Sequence, residues 1–195
     1  MIESLNEFDT QLFYLINGFH CESMDWPMWF ISSRWSWLLA LVAAYLFVAF
    51  KQEKKYWWIP LAAIGLCFLL ADRGSVLLFK DTVCRPRPCQ VLNDVHLLSD
   101  LEPCRNSFGF VSSHAANAFA LVTFFWLRYR KTKVNLVSVC LLIWAVAVCY
   151  SRVYLGKHYP GDVVCGALFG MLVGWLVWFM MKKFEKKFTF HETKS

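Results

Sequence analysis

Three short polar islands carry residue types that could handle a phosphoryl group. The first runs from Lys80 to Pro88 and holds Lys80, Arg85 and Arg87. The second is Ser112-Ser113-His114. The third, Ser151 to Asp162, brings an arginine, a histidine and a carboxylate into one loop and one helical turn. Lys80, Arg87 and Arg152 would surround a dianion, since guanidinium forks match phosphate oxygens and an ammonium acts as a point charge. His158 lies four residues before Asp162, and Pro160 suits a helix start. A carboxylate in that first turn can accept a hydrogen bond from one ring nitrogen and leave the other free as nucleophile or base. His114 would face it as the acid that protonates a leaving oxygen.

These islands need helices to hold them, and composition says which kind. Hydrophobic residues make up 58% of the 195 and charged residues 17%, far from a soluble average. Apolar runs approach the ~20 residues that a bilayer requires. The expected fold is an all-α integral membrane bundle, one domain over residues 1–195, with five spans near 24–50, 56–79, 113–127, 134–150 and 161–181. Residues 5–19 alternate polar and apolar at helical spacing and read as an amphipathic helix on the membrane surface. Pro27 marks a helix start, and Ser32-Ser33-Arg34 a bend in the first span. Asp72 and Arg73 sit inside the second span, either as a salt bridge or as support beneath the site. Loops 80–112 and 151–160 carry the site; a loop as long as the first is usually functional or disordered.

Loop 51–55, loop 128–133 and the tail from Lys182 hold most of the Lys and Arg. The positive-inside rule puts them in the cytoplasm. Five spans then leave the N-terminus outside, the C-terminus inside, and all three islands on the outer face. The third and fifth spans both begin there, so two helix N-termini offer free N–H groups to an anion. The start Met1-Ile2-Glu3-Ser4 lacks a basic n-region, which leaves the first span as the uncleaved insertion signal. Cys67, Cys140, Cys149 and Cys165 lie in apolar runs as core fillers. Cys21, Cys84, Cys89 and Cys104 fall outside, where disulfides form, and Cys89 with Cys104 would close the long loop. No zinc-ligand spacing accompanies a suitable histidine.

Other residues have plainer readings. The formal charge of +6 sits in short loops rather than on one solvated face, against a nucleic-acid partner. His20, His96 and His191 read as ordinary hydrogen-bonded polar residues, and Arg105 and Lys157 as solvated or touching lipid head groups. Arg85 stays open between both kinds. Capping alone would explain Ser112 and Ser113.

Lys80-x6-Arg87-Pro88, Ser112-x-His114 and Ser151-Arg152-x5-His158-x3-Asp162 together resemble the three-part signature of the type-2 phosphatidic acid phosphatases, the lipid phosphate phosphatase and vanadium haloperoxidase superfamily. The second part departs: Val111-Ser112-Ser113-His114 stands where the family has Pro-Ser-Gly-His. The resemblance implies that His158 forms a phosphohistidine, Asp162 orients it and His114 is the general acid. It further implies that Lys80, Arg87, Ser112, Arg152 and amides near Ser113 bind phosphate, with no metal or cofactor.

The expected function is a phosphatase of the inner membrane acting at the outer face on a lipid phosphate or diphosphate. Undecaprenyl diphosphate ranks first; phosphatidylglycerol phosphate, phosphatidate and a lipid A phosphate are alternatives. Transfer of the phosphoryl group to a lipid or sugar hydroxyl is a second class, and a non-catalytic transporter or scaffold a third. No obligate protein partner is evident.

Overall fold

The computed structural model describes residues 2–51, 58–129 and 135–192. They form α1 (Ile2–Gly18), α2 (Glu22–Ser32), α3 (Arg34–Lys51), α4 (Trp58–Ser75), a π-helical turn (Val76–Lys80), α5 (Asp81–Val83), α6 (Pro88–Val91), α7 (Ser113–Tyr129), α8 (Asn135–Tyr154) and α9 (Pro160–Glu192). Three of the described helical stretches are long and apolar enough to cross a bilayer: Trp58–Val91, Leu136–Tyr154 and Pro160–Lys186. The pair α2–α3, bent by 53°, makes a fourth if counted as one span. At 17 residues, α7 is shorter than these.

The bend falls at Ser33, whose extended backbone breaks the helix and whose hydroxyl caps the Phe30 carbonyl at 2.8 Å. Pro27 lies inside α2 rather than opening it; the chain turns helical earlier, at Glu22. Two other expected boundaries move. α8 continues to Tyr154, so Ser151 and Arg152 occupy its last turn and not a loop. α9 starts at Pro160 and carries helix through the basic tail. Loop 51–55 and loop 128–133 fall largely outside the described residues.

α7 is the central helix and packs on α4, α8 and α9. Its contact with α9 is the most extensive in the fold, and small residues explain it. Gly166, Gly170 and Gly174 repeat every fourth position on one face of α9. A Cβ on any of them would run into the backbone of Ser112, just before α7, or of Ala116 or Ala120 on it. Small residues at this spacing let two helix backbones approach closely where lipid provides no hydrophobic drive.

α8 closes through Gly156, whose φ of +70° reaches the left-handed region that glycine adopts freely. The amides of Lys157 and His158 fold back onto the carbonyl of Arg152, at 3.0 and 3.3 Å. That closure aims His158 back toward the end of α8. α1 seats Asp9, Phe13 and Asn17 against the protein and leaves Leu5, Phe8 and Leu15 exposed. Its inner face is therefore partly polar. Asn17 is fully engaged there: its amide donates to the carbonyls of Tyr154 (2.7 Å) and His96 (3.2 Å), and its Oδ1 accepts the His96 amide (2.8 Å).

Candidate active site

The three islands converge on one cavity of about 930 Å³. It is lined by the cations Lys80, Arg87, Arg105 and Arg152, the carboxylates Asp72 and Glu102, and both His114 and His158. The apolar side chains of Trp37, Leu38, Leu41, Phe68 and Val76 line it too. Lys80 closes the π-helical turn, a distortion found often at functional sites. Cys84, in a left-handed conformation, then ends the helix, and Arg87, three residues on, lines the cavity.

Arg87 is buried and almost wholly committed. Nε donates to the Ser107 carbonyl (2.9 Å), Nη2 to Ser107 Oγ (3.1 Å), and Nη1 to the Lys157 carbonyl (3.2 Å). Nη1 also lies 3.3 Å from His158 Nε2. A guanidinium can only donate, so Nε2 accepts and the ring proton sits on Nδ1. Nδ1 faces Asp162 Oδ2 at 3.5 Å. The same Oδ2 accepts the Tyr159 amide at 3.0 Å. His158 therefore turns its lone pair toward Arg87, while Nδ1 faces the carboxylate without forming a hydrogen bond. Burial, and then Arg87, Arg152 and Lys80, hold the imidazole's pKa well below its ordinary value. It is neutral at physiological pH.

The second island docks on the third through the Ser112 amide, which donates to the Asp162 carbonyl at 3.0 Å. Ser112 is buried, and its hydroxyl accepts from the Ala115 amide as a helix cap (3.4 Å). It is not among the residues lining the cavity. Ser113 does line it, with its hydroxyl 2.6 Å from that of Ser75. The His114 ring lies edge-on to Trp37, centroids 6.0 Å apart.

Several neighbours went unforeseen. Glu102, from the long loop, takes both terminal nitrogens of Arg152, at 2.9 and 3.2 Å. Burial works against that carboxylate, yet Arg152, Lys157 and Arg105 hold its pKa below the usual range. Lys157 is buried rather than solvated, and its ammonium donates to the Glu102 carbonyl. Burial lowers its pKa to about 8, against the pull of Glu102. Arg105 is exposed, as expected, and also lines the cavity. Arg85 bridges Asp9 and Asp162. Gly109 abuts Asp162 and Arg87 so closely that a Cβ would sit 3.2 Å from Asp162 Oδ2. Cys89 and Cys104 are joined, as expected, in a disulfide that ties off the loop bearing Glu102. Asp72 lines the cavity below Lys80, and neither it nor Arg73 is in an ion pair among the described residues. No three His, Cys, Asp or Glu among the described residues converge as metal ligands.

Residues 57–186, more than half of the chain, match the PAP2 superfamily profile. The chain belongs to that superfamily. It is 35% identical to a lipid A 4'-phosphatase of Bacteroides thetaiotaomicron, over 94% of this chain and 81% of that protein. A lipid A 4'-phosphatase of Porphyromonas gingivalis is 28% identical over 91% of this chain and 74% of its own. An undecaprenyl-diphosphatase of Sulfolobus acidocaldarius is 27% identical over 87% and 76%. The fold is shared with the crystal structure of a transmembrane PAP2-type phosphatidylglycerolphosphate phosphatase from Bacillus subtilis. The TM-score is 0.66 at 24% identity, covering 94% of this chain and 87% of that one. With its long apolar helices, this PAP2 protein is an integral membrane helical bundle.

Proposed function

We propose that this lipid phosphatase removes a phosphate monoester from the sugar head group of a lipid A-type glycolipid. Lys80, Arg87, Arg152 and the amides around Ser113 hold the phosphate, while the lipid lies toward the apolar wall of Trp37, Leu38 and Leu41. The His158 Nε2 lone pair attacks phosphorus. A P–N bond forms, the bond from phosphorus to the sugar oxygen breaks, and His114 gives that oxygen its proton. Water then attacks the phosphohistidine and yields its proton to His114; the P–N bond breaks, and inorganic phosphate leaves. Asp162 orients the ring throughout. Charge spreading over the transferring group is stabilised by fixed cations rather than by solvent. Ser112 acts through its backbone and its cap rather than as a direct ligand.

The observation that carries the chemistry is the placement of His158, with Nε2 3.3 Å from Arg87 Nη1 and Nδ1 3.5 Å from Asp162 Oδ2, in a cavity shared with His114. The substrate class rests on the relatives. Undecaprenyl diphosphate ranks first on topology and analogy, and that order reverses because the lipid A 4'-phosphatases are the more similar. The chain works as one domain with five crossings. α7 is the inner one, sheathed by α4, α8 and α9, and so needs less length and apolarity than a lipid-facing span. The positive-inside rule sets the cavity on the outer side of the cytoplasmic membrane and the C-terminus inside.

Phosphate release by purified protein from lipid A, undecaprenyl diphosphate and phosphatidylglycerol phosphate, with vanadate as inhibitor, tests the reading. Lipid A should be turned over fastest, with free phosphate as product. Faster release from undecaprenyl diphosphate would overturn the substrate assignment, and full activity in His158→Ala would overturn the mechanism.

A further inference from the structure

The amphipathic helix α1 has an acidic residue where a surface helix has no use for one. Asp9 points inward, and its Oδ1 accepts the amide of Gly161 at 2.7 Å, in the first turn of α9. Its Oδ2 lies 2.8 Å from Arg85 Nη1. The same Nη1 lies 2.8 Å from Asp162 Oδ1. One guanidinium nitrogen thus serves two carboxylates, and the second is the one behind His158. The Arg85 guanidinium also lies over the Tyr159 ring, 4.0 Å from its centroid. The arrangement is Asp9, Arg85, Asp162, His158 in line, running from the membrane-surface helix to the imidazole.

We propose that Asp9 and Arg85 are positioning residues that set the charge felt by His158 through Asp162. This rests on the reading of His158 as nucleophile. Asp162 is fully buried, and a buried lone carboxylate is costly. Arg85 offsets that cost. A full positive charge spent on Asp162 alone would weaken its hold on the imidazole, and Asp9 takes up part of it. On the cavity side His158 faces Arg87, Arg152 and Lys80, all of which disfavour its protonation. His114, Glu102 and Arg105 line the same cavity, and Lys157 adjoins His158 in the chain. None of these groups touches Asp9, so the pair can be altered without disturbing the phosphate cations.

The charges give opposite signs for the two partners. Removing the cation makes the potential at His158 more negative and favours the imidazolium. Removing the outer carboxylate does the reverse. The test is the pH profile of kcat/KM for phosphate release in Arg85→Gln, Asp9→Asn and Arg85→Lys, with His158→Ala alongside. Arg85→Gln should move the acidic limb up by roughly one pH unit and Asp9→Asn should move it down by about half a unit. Arg85→Lys should return the limb toward wild type. Acidic limbs that coincide with wild type, whatever the loss in rate, overturn the proposal, because a purely structural pair would lower rates without moving them. If Arg85→Gln does not fold, Asp9→Asn decides alone: a downward shift supports the pairing and an unmoved limb overturns it. An active His158→Ala would instead overturn the nucleophile, whereas an inactive one with unmoved limbs overturns the pairing only.

Discussion

The Arg152 guanidinium and the Glu102 carboxylate meet fork to fork, Nη2 to Oε1 at 2.9 Å and Nη1 to Oε2 at 3.2 Å. A carboxylate thus sits where Arg152 would grip a phosphate, and the two anions compete for one cation. Hydrogen bonds to charged groups contribute about 1.5–3 kcal/mol. Glu102→Gln should therefore tighten inhibition by inorganic phosphate and vanadate by roughly tenfold or more. Inhibition titrations check this; weaker inhibition would make Glu102 a support for Arg152 rather than its competitor.

The two histidines should separate by leaving group. His158→Ala should abolish turnover of both a lipid phosphate and p-nitrophenyl phosphate. His114→Ala should cost about 10²–10⁴-fold on the lipid. Its loss on p-nitrophenyl phosphate should be much smaller, because nitrophenolate leaves without a proton. Parallel kcat/KM measurements on the two substrates decide between acid and nucleophile.

Lys157 should make anion binding pH-dependent. Burial depresses its pKa to about 8, so its charge is present below that pH and lost above it. Phosphate inhibition should weaken as pH rises through 8, and Lys157→Met should reduce that step, because Lys80 also lines the cavity. His158 is already neutral at physiological pH, so protonation of its ring should cost activity only well below pH 6.5. Inhibition constants measured across pH 8 follow the first effect, and kcat/KM carried well below pH 6.5 follows the second.

The Cys89–Cys104 bond ties off the segment that carries Glu102. Cys89→Ser with Cys104→Ser should loosen that segment and shift phosphate inhibition in the same direction as Glu102→Gln. It should also lower the thermal midpoint, since closing a loop of this length is worth about 3 kcal/mol in a chain-entropy account. Thermal unfolding in detergent with the same inhibition titration reads both.

The cations and histidines were legible because polar residues at the ends of apolar runs stand out against them. The cavity does gather Lys80, Arg87, Ser113, His114, Arg152 and His158. Glu102 was not legible: one carboxylate in a long polar loop has no spacing that ties it to Arg152, fifty positions away. Asp9 was hidden by the amphipathic reading of α1, which assigns polar residues to solvent and does not anticipate a polar inner face. Lys157 misled for a related reason, because its neighbours in sequence do not show that Glu102 folds over it. The four-residue glycine spacing of α9 was present in the chain and could have announced the α7 contact. The cap by Gly156 is made of local backbone bonds onto Arg152, so a glycine just past an apolar run could have announced where α8 ends.

The glycine ladder between α7 and α9 has one more consequence. It locks together the two helices whose first turns carry His114 and, just before Pro160, His158. Neither imidazole can slide relative to the other without forcing backbone through backbone. The adjustable parts are the opposite wall, with its break at Ser33, and the tethered segment bearing Glu102. Changes in lipid preference between relatives should accumulate in those two walls, and an effort to redirect this enzyme to another head group should begin there.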